Sequence, residues 1–199
     1  MEALKQENFI SEQEYLDGEK ISEIKHEYID GDVYAMAGTS ENHNFISTNL
    51  IAEMVRHLKN SPCKPFMADI KVKADGCFFY PDLMVVCDEN DTDIYYKENP
   101  VLIVEVLSKS TKRFDQTLKR ETYKKIASLK EYVLIEQDTV DIEVCRREGD
   151  FWVSSRYFMG DNIFLASIDL TVAVEDIYYR VNNDDVSMFL AEQQQSKQT

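Results

Sequence analysis

The chain has 199 residues with a formal net charge of −15, from 37 acidic and 22 basic residues. That length supports one domain with a real core, and 44% hydrophobic with 30% charged residues is an ordinary globular mix. That charge balance is a poor electrostatic footprint for binding nucleic acid over a wide surface, and it leaves room for a local basic groove or a metal-rich site.

No apolar run is long enough to span a bilayer, and Met1 to Asn8 lack the basic start and apolar core of a signal peptide. The four cysteines (Cys63, Cys77, Cys87, Cys145) are scattered without CxxC spacing. They read as free thiols of a cytoplasmic protein, not as a zinc site.

In chain order, Ser11-Glu-Gln-Glu14 is a capping box that predicts a short helix to about Asp17. Lys25 to Tyr34 predicts two short strands around Asp30-Gly31. Thr39 or Ser40 caps a helix from about Glu41 to Lys59. Its apolar positions Phe45, Ile46, Leu50, Ile51, Met54, Val55 and Leu58 form one stripe. Strands follow at about Lys64–Val72 and Cys77–Cys87, joined by Asp75-Gly76. Asp88 to Asn99 is an acidic loop without periodicity.

Pro100 to Ser108 is an apolar run that predicts a strand buried on both faces, with Glu105 set into it. The next helix is expected over about Thr111–Ser128. Asp115, Lys119 and Tyr123 share one face, and Leu118, Thr122 and Ile126 pack on the sheet from a neighbouring one. Further strands are predicted at Glu131–Gln137, Val140–Arg147 and Phe151–Phe158, with a closing segment at Thr171–Val174 and Ile177–Tyr179. The expected organisation is a single domain over residues 1–185 with a polar, flexible tail over 186–199. The class is α/β, a mixed β-sheet flanked by helices.

An ionised carboxylate in an apolar strand is costly unless a cation or a hydrogen-bond network compensates. Glu105 therefore marks a candidate site, together with Asp82 on the preceding strand and Lys119 on the following helix. With these residues laid out, the chain resembles the Uma-type family of restriction-endonuclease-like proteins, within the PD-(D/E)xK nuclease superfamily. The matching pieces are Tyr15-Leu16, His26-Glu-Tyr-Ile-Asp-Gly31, Met36-Ala-Gly38, His43-Asn44, Tyr80-Pro-Asp82, Glu105-Val-Leu-Ser108, Ser110-Thr111, and Asp115 followed by Lys119 and Tyr123. The resemblance implies a restriction-endonuclease-like core and a Mg²⁺-dependent (or Mn²⁺-dependent) DNA endonuclease site. Pro81-Asp82 matches the PD element and Glu105 the second acid. The lysine expected two residues after that acid is Leu107, and the resemblance places it instead at Lys119.

Mg²⁺ takes oxygen ligands and needs only one or two carboxylates from a protein. Asp82 and Glu105 would supply them, with the Val106 carbonyl as a further ligand. Lys119 would hold or deprotonate the attacking water, or stabilise the charge that develops on phosphorus. The plainer alternative is that both acids are strand-end residues reaching solvent. Glu27 is either a third carboxylate or a surface acid, and His43 either bonds phosphate or serves the helix start. Asp115 either orients Lys119 or favours the helix terminus, and Tyr123 reads as core packing. Lys109, Lys112, Arg113 and Arg120, with Lys119, Lys124 and Lys125, form the one basic cluster, where a nucleic-acid backbone would lie. A homodimer is an open expectation. The competing reading is a non-catalytic nuclease-fold protein that binds nucleic acid or a protein partner.

Overall fold

The computed structural model describes residues 9–109 and 111–196. Ser110, quoted above for the resemblance, lies outside the described residues, as do residues 1–8 and 197–199. Helix α1 (Glu12–Glu19) carries the expected box: the Ser11 N–H donates to Glu14 at 2.8 Å and the Glu14 N–H donates to Ser11 Oγ at 3.3 Å. Strands β1 (His26–Ile29) and β2 (Asp32–Ala35) form a hairpin over Asp30 and Gly31. Both turn residues have positive φ, +48° and +94°, which suits an Asp-Gly pair. Helix α2 (Glu41–Leu58) starts on Ser40, whose Oγ accepts the His43 N–H at 3.1 Å. It buries Ile46, Leu50, Met54 and Leu58. Val55, expected in that stripe, is 54% exposed, because one residue past Met54 is a rotation of about 100° away from the core.

Each of the next two expected strands is in fact two: β3 (Lys64–Met67) and β4 (Lys71–Ala74), then β5 (Cys77–Phe79) and β6 (Leu83–Val86). β3 and β6 pair with each other, and β4 and β5 pair in a different sheet. In the second segment the break falls at Tyr80-Pro81-Asp82, where Pro81 has no N–H to give to a ladder. The Ala68 N–H donates to the Asp82 carbonyl at 3.1 Å, so the two segments change sheets side by side. Strand β7 (Tyr96–Lys97) lies inside the expected acidic loop and pairs parallel with β4.

Strand β8 (Pro100–Leu107) is buried at every position, as its composition predicts. After a short helical segment come β9 (Glu131–Glu136), β10 (Ile142–Glu148), β11 (Phe151–Tyr157), β12 (Asn162–Leu165) and β13 (Leu170–Ala173). One sheet has the order β11-β10-β9-β8-β6-β3, a second has β2-β1-β5-β4-β7, and β12-β13 is a separate ribbon. The architecture is therefore mixed α/β, with β8 and β9 the parallel pair of the larger sheet. Alternation along β8 splits the core. Leu102, Val104 and Val106 pack with Ile46, Leu50 and Met54 of α2. Ile103 and Leu107 pack with Phe79, Tyr123 and Tyr132 on the other face. Each of these aliphatics contributes about 1.5–3 kcal/mol when fully buried. Glu105 stands on the second face, in line with Ile103 and Leu107.

The segment after β8 is shorter than expected. It runs α3 (Lys112–Phe114), a π-helical turn (Asp115–Lys119) and α4 (Arg120–Tyr123), ending five residues before Ser128. Arg147 accounts for the stop: its guanidinium donates to the carbonyls of Lys124, Ile126 and Leu129 at 2.7–2.8 Å. Thr122 and Ile126 are buried as expected, but Leu118 is 41% exposed, because the wider π turn shifts the packing face. The expected closing segment is strand β13 followed directly by helix α5 (Val174–Ile177). Helix α6 (Asp184–Ser196) occupies most of the expected tail; Asn183 Oδ1 accepts the Val186 N–H at 2.9 Å, and Val186 is buried in the core. The expectation of four free thiols is corrected as well. Cys63 and Cys87 flank the β3–β6 pair and are joined as a disulfide, while Cys77 and Cys145 are free and buried. Among the described residues no helix is long and apolar enough to cross a membrane.

Candidate active site

The break at Pro81 and the end of β8 meet at one point. β6 and β8 pair Leu83 with Val104, so extending the register by one residue sets Asp82 opposite Glu105. Pairing has lapsed there, and the two side chains take over the ladder's hydrogen bonds. The Asp82 N–H donates to Glu105 Oε2 at 3.3 Å, and the Val106 N–H donates to Asp82 Oδ2 at 2.7 Å. Each carboxylate is thus held by the other's strand, and both face the same cavity of about 360 Å³.

The π turn brings Lys119 into this cavity. Its Nζ lies 2.8 Å from Glu27 Oε1, 3.3 Å from Glu105 Oε1 and 3.3 Å from Asp115 Oδ1. All four groups are buried: Lys119 is 4% exposed, Glu105 and Asp115 2%, and Glu27 7%. The Tyr123 hydroxyl donates to Glu105 Oε1 at 3.0 Å, so this tyrosine is more than packing. Glu27 Oε1 also accepts the Tyr80 N–H at 3.3 Å, which ties the β1–β2 hairpin to the residue before Pro81. The His43 ring Nε2 lies 3.1 Å from Asp82 Oδ2. Helix α2 is capped by Ser40, which leaves the His43 side chain to the site.

Four carboxylates therefore surround one ammonium and one imidazole. Burial, reinforced by the charges of Asp115, Asp82 and Glu27, holds the Glu105 carboxyl well above the usual carboxylate range, although Lys119 opposes the shift. Asp115 is raised for the same first reason, with Lys119 again opposing. Burial by itself would lower Lys119, but Glu105, Glu27 and Asp115 outweigh it and hold the ammonium above its ordinary value. A lysine so held is a charge donor.

The residues fit a divalent cation in a limited sense. Among the described residues no three His, Cys, Asp or Glu side chains form a ready cage. Mg²⁺ does not need one, since two carboxylates plus substrate oxygens suffice. The donors are all oxygen, the local charge is negative, and buried Asp115 Oδ1 has no hydrogen-bond donor in line although Lys119 is near.

The expected basic cluster does not converge on the site. Lys109 pairs with Asp138 at 3.8 Å and Lys112 with Glu136 at 2.5 Å. Arg120 reaches away to Glu143 at 2.7 Å, on β10, and to Ser154 at 3.1 Å. Lys124 and Lys125 pair with Glu121 and Asp75. Arg113 is exposed. What sequence reasoning missed is the segment from Tyr34 to Ser40, which forms one wall of the cavity, and Gln137, whose Oε1 accepts from the Ser40 hydroxyl. These residues have no charge pattern, and only the Met36-Ala-Gly38 match pointed towards them.

Comparison with known proteins gives the family and the fold. The family Uma2, described as "Putative restriction endonuclease", matches residues 12–175. Two uncharacterized proteins of Synechocystis sp. are similar: one is 36% identical over 173 residues, 85% of this chain and 91% of its own. The other is 34% identical over 154 residues, 75% and 87%. A crystal structure from Anabaena variabilis, described as a "putative nuclease", superposes with a TM-score of 0.69 at 17% identity. It covers 85% of this chain and 97% of the other, and at that identity it speaks for the fold alone.

Proposed function

Since this chain belongs to the Uma2 family, whose match takes in every element of the site, we propose that it is a Mg²⁺- or Mn²⁺-dependent nuclease that hydrolyses phosphodiester bonds in DNA. The observation that carries this reading is the reciprocal clamp between Asp82 and Glu105 beside a buried lysine. Asp82 and Glu105 would hold the ion, with the Val106 carbonyl at the same strand end. When bound, the ion supplies Lewis acidity to the phosphate and to the attacking water. Lys119 stabilises negative charge as it develops on the phosphoryl oxygens. Glu27 and Asp115 fix the Lys119 ammonium in place, Tyr123 orients Glu105, and His43 positions Asp82. Leu107, buried beside Glu105 on the same face, takes the place of the lysine found two residues after the acid in the superfamily pattern. The Lys119 side chain reaches Glu105 from the π turn instead.

The test is cleavage of supercoiled and linear DNA with Mg²⁺ or Mn²⁺, for wild type, Asp82→Asn and Lys119→Arg. Metal-dependent cleavage lost in both variants supports the reading. Cleavage that persists in Asp82→Asn would place the chemistry elsewhere. The second reading, a non-catalytic nuclease-fold protein, is favoured by one observation, the pairwise neutralisation of the basic cluster. It requires binding without cleavage under the same conditions. One copy of the chain supplies every proposed group, so a homodimer would be required only for coordinated cutting of two strands.

A further inference from the structure

The Tyr34–Gly38 part of the cavity wall is apolar but for the Tyr34 hydroxyl, and the position of Tyr34 is fixed by the hairpin register. Tyr34 pairs directly with Glu27 across β1 and β2, which puts its ring on the same face as the Glu27 carboxylate. Tyr34 is 51% exposed, and Met36 beside it 36%. The segment between them is held by the Met36 N–H, which donates to the Lys25 carbonyl at 2.9 Å. The cavity thus has a recessed polar floor and an open aromatic rim, and its volume of about 360 Å³ lies in the range of a site for one small molecule.

Two further observations bear on what enters. Glu105, Asp115 and Lys119 are at most 4% exposed, so a reacting phosphate must come down to them. Of the basic side chains around the site, Lys109, Lys112 and Arg120 each stand beside a carboxylate, the first two at the exposed surface, and Arg113 is exposed. A duplex is gripped chiefly by neutralising many phosphates, and this surface has few free cations for that. Unpaired strands are gripped differently, by aromatic side chains on which bases stack.

We infer that the site takes an unpaired polynucleotide strand, one nucleotide of which stacks its base on Tyr34 and lowers its phosphate to the Asp82–Glu105 pair. This rests on the nuclease reading and narrows it to single strands, tails and flaps. The base packs between Tyr34 and Met36, and the apolar side chains of Ala35 and Ala37 add no hydrogen-bonding group that would select one base over another.

The experiment is fluorescence anisotropy in Ca²⁺ with four probes of equal length: oligo-deoxythymidine, oligo-uridine, a blunt DNA duplex, and the duplex with an unpaired tail. Either single strand, and the tailed duplex, should bind at least tenfold tighter than the blunt duplex; the tighter of the two single strands identifies the sugar. The salt dependence for the single strand should be shallow, with a log–log slope below about 2 in magnitude. Tyr34→Ala should weaken single-strand binding about tenfold, Tyr34→Phe should retain it, and Lys112→Ala, already paired with Glu136, should change little. Equal or tighter binding of the blunt duplex, or an unchanged Tyr34→Ala, overturns the inference while leaving the nuclease reading intact. No binding of any probe overturns both.

Discussion

Two glutamates are buried in neighbouring parallel strands, and they are opposites. Glu131, at the start of β9, is 1% exposed; Glu105, near the end of β8, is 2% exposed. Glu131 is fully supplied with donors. Its Oε1 accepts from Arg146 Nε at 2.9 Å and the Ala166 N–H at 3.2 Å, and its Oε2 accepts from the Ser167 N–H at 2.8 Å and Ser167 Oγ at 2.5 Å. Arg146 is its direct cross-strand partner on β10. Glu105 shares its single cation with two other carboxylates and faces a fourth. Burial of a charge therefore does not mark a functional site. A shortage of positive charge around it, at a strand's carboxyl end beside a cavity, does so far better.

The comparison is broken most directly at Glu131. Glu131→Ala leaves the Arg146 guanidinium and two backbone N–H groups without their acceptor. Loss of one partner from a buried pair costs about 3–5 kcal/mol, which for a chain of this size lowers Tm by roughly 10 °C or more. Urea denaturation should show that loss equally in EDTA and in Mn²⁺, because no divalent cation replaces a missing carboxylate. A loss smaller than about 1 kcal/mol would mean Glu131 is dispensable and the contrast is empty.

Lys119→Met should destabilise on a similar scale in EDTA, about 3 kcal/mol, since it leaves three buried carboxylates facing one another. Its three buried ion pairs are the reason for that cost. Here Mn²⁺ should restore part of the loss, whereas in Arg146→Met it should restore none. Thermal melts of both variants with and without Mn²⁺ decide it, and equal responses would erase the distinction between the two regions.

Much of this contrast was legible in the residues. A lone acid in Val101 to Leu107 advertises itself, and Asp115, Lys119 and Tyr123 share a face at helical spacing. The capping box, the Asp-Gly hairpins and the buried strand β8 follow from local chemistry that the structure leaves in force. What was not legible depends on the whole fold. Pro81 shows that a strand breaks, but not that its halves join different sheets. The π turn has no composition of its own. Arg120 and Lys112 read as a basic face because their partners, Glu143 and Glu136, lie far along the chain. Glu131 looks like an ordinary strand-start acid until Ser167 and Arg146 are seen around it.

Wild type should gain stability from the ion itself. A ligand that binds only the native state stabilises it by about 2.7 kcal/mol at a hundredfold excess over Kd. Differential scanning calorimetry in EDTA and in rising Mn²⁺ should show a concentration-dependent increase in Tm. Asp82→Ala should flatten that curve, and Glu131→Ala should leave its slope intact on a lower baseline. An identical Mn²⁺ response in wild type and Asp82→Ala would end the metal-site reading.

The smallest effect is expected at Glu105 itself, and it separates the two glutamates most finely. Glu105→Gln keeps the shape, and its amide oxygen can still accept from Tyr123; its NH₂ turns away one donor, the Asp82 N–H, while one buried negative charge disappears. Lys119 keeps Glu27 at 2.8 Å and Asp115 at 3.3 Å, so the ammonium is not stranded. Removing the charge also relieves the burial and like-charge repulsion that raise the Glu105 carboxyl. In EDTA the variant should therefore lie within about 1 kcal/mol of wild type, on either side of it. The matching change at the other site, Glu131→Gln, should cost more, because its four donors meet a group with one acceptor oxygen and an NH₂ that turns two of them away. In saturating Mn²⁺ the order widens, since Glu105→Gln forgoes stabilisation that wild type gains. A large loss in EDTA for Glu105→Gln, equal to that of Glu131→Gln, would make Glu105 a structural partner of Lys119 and dissolve the asymmetry between the two strands.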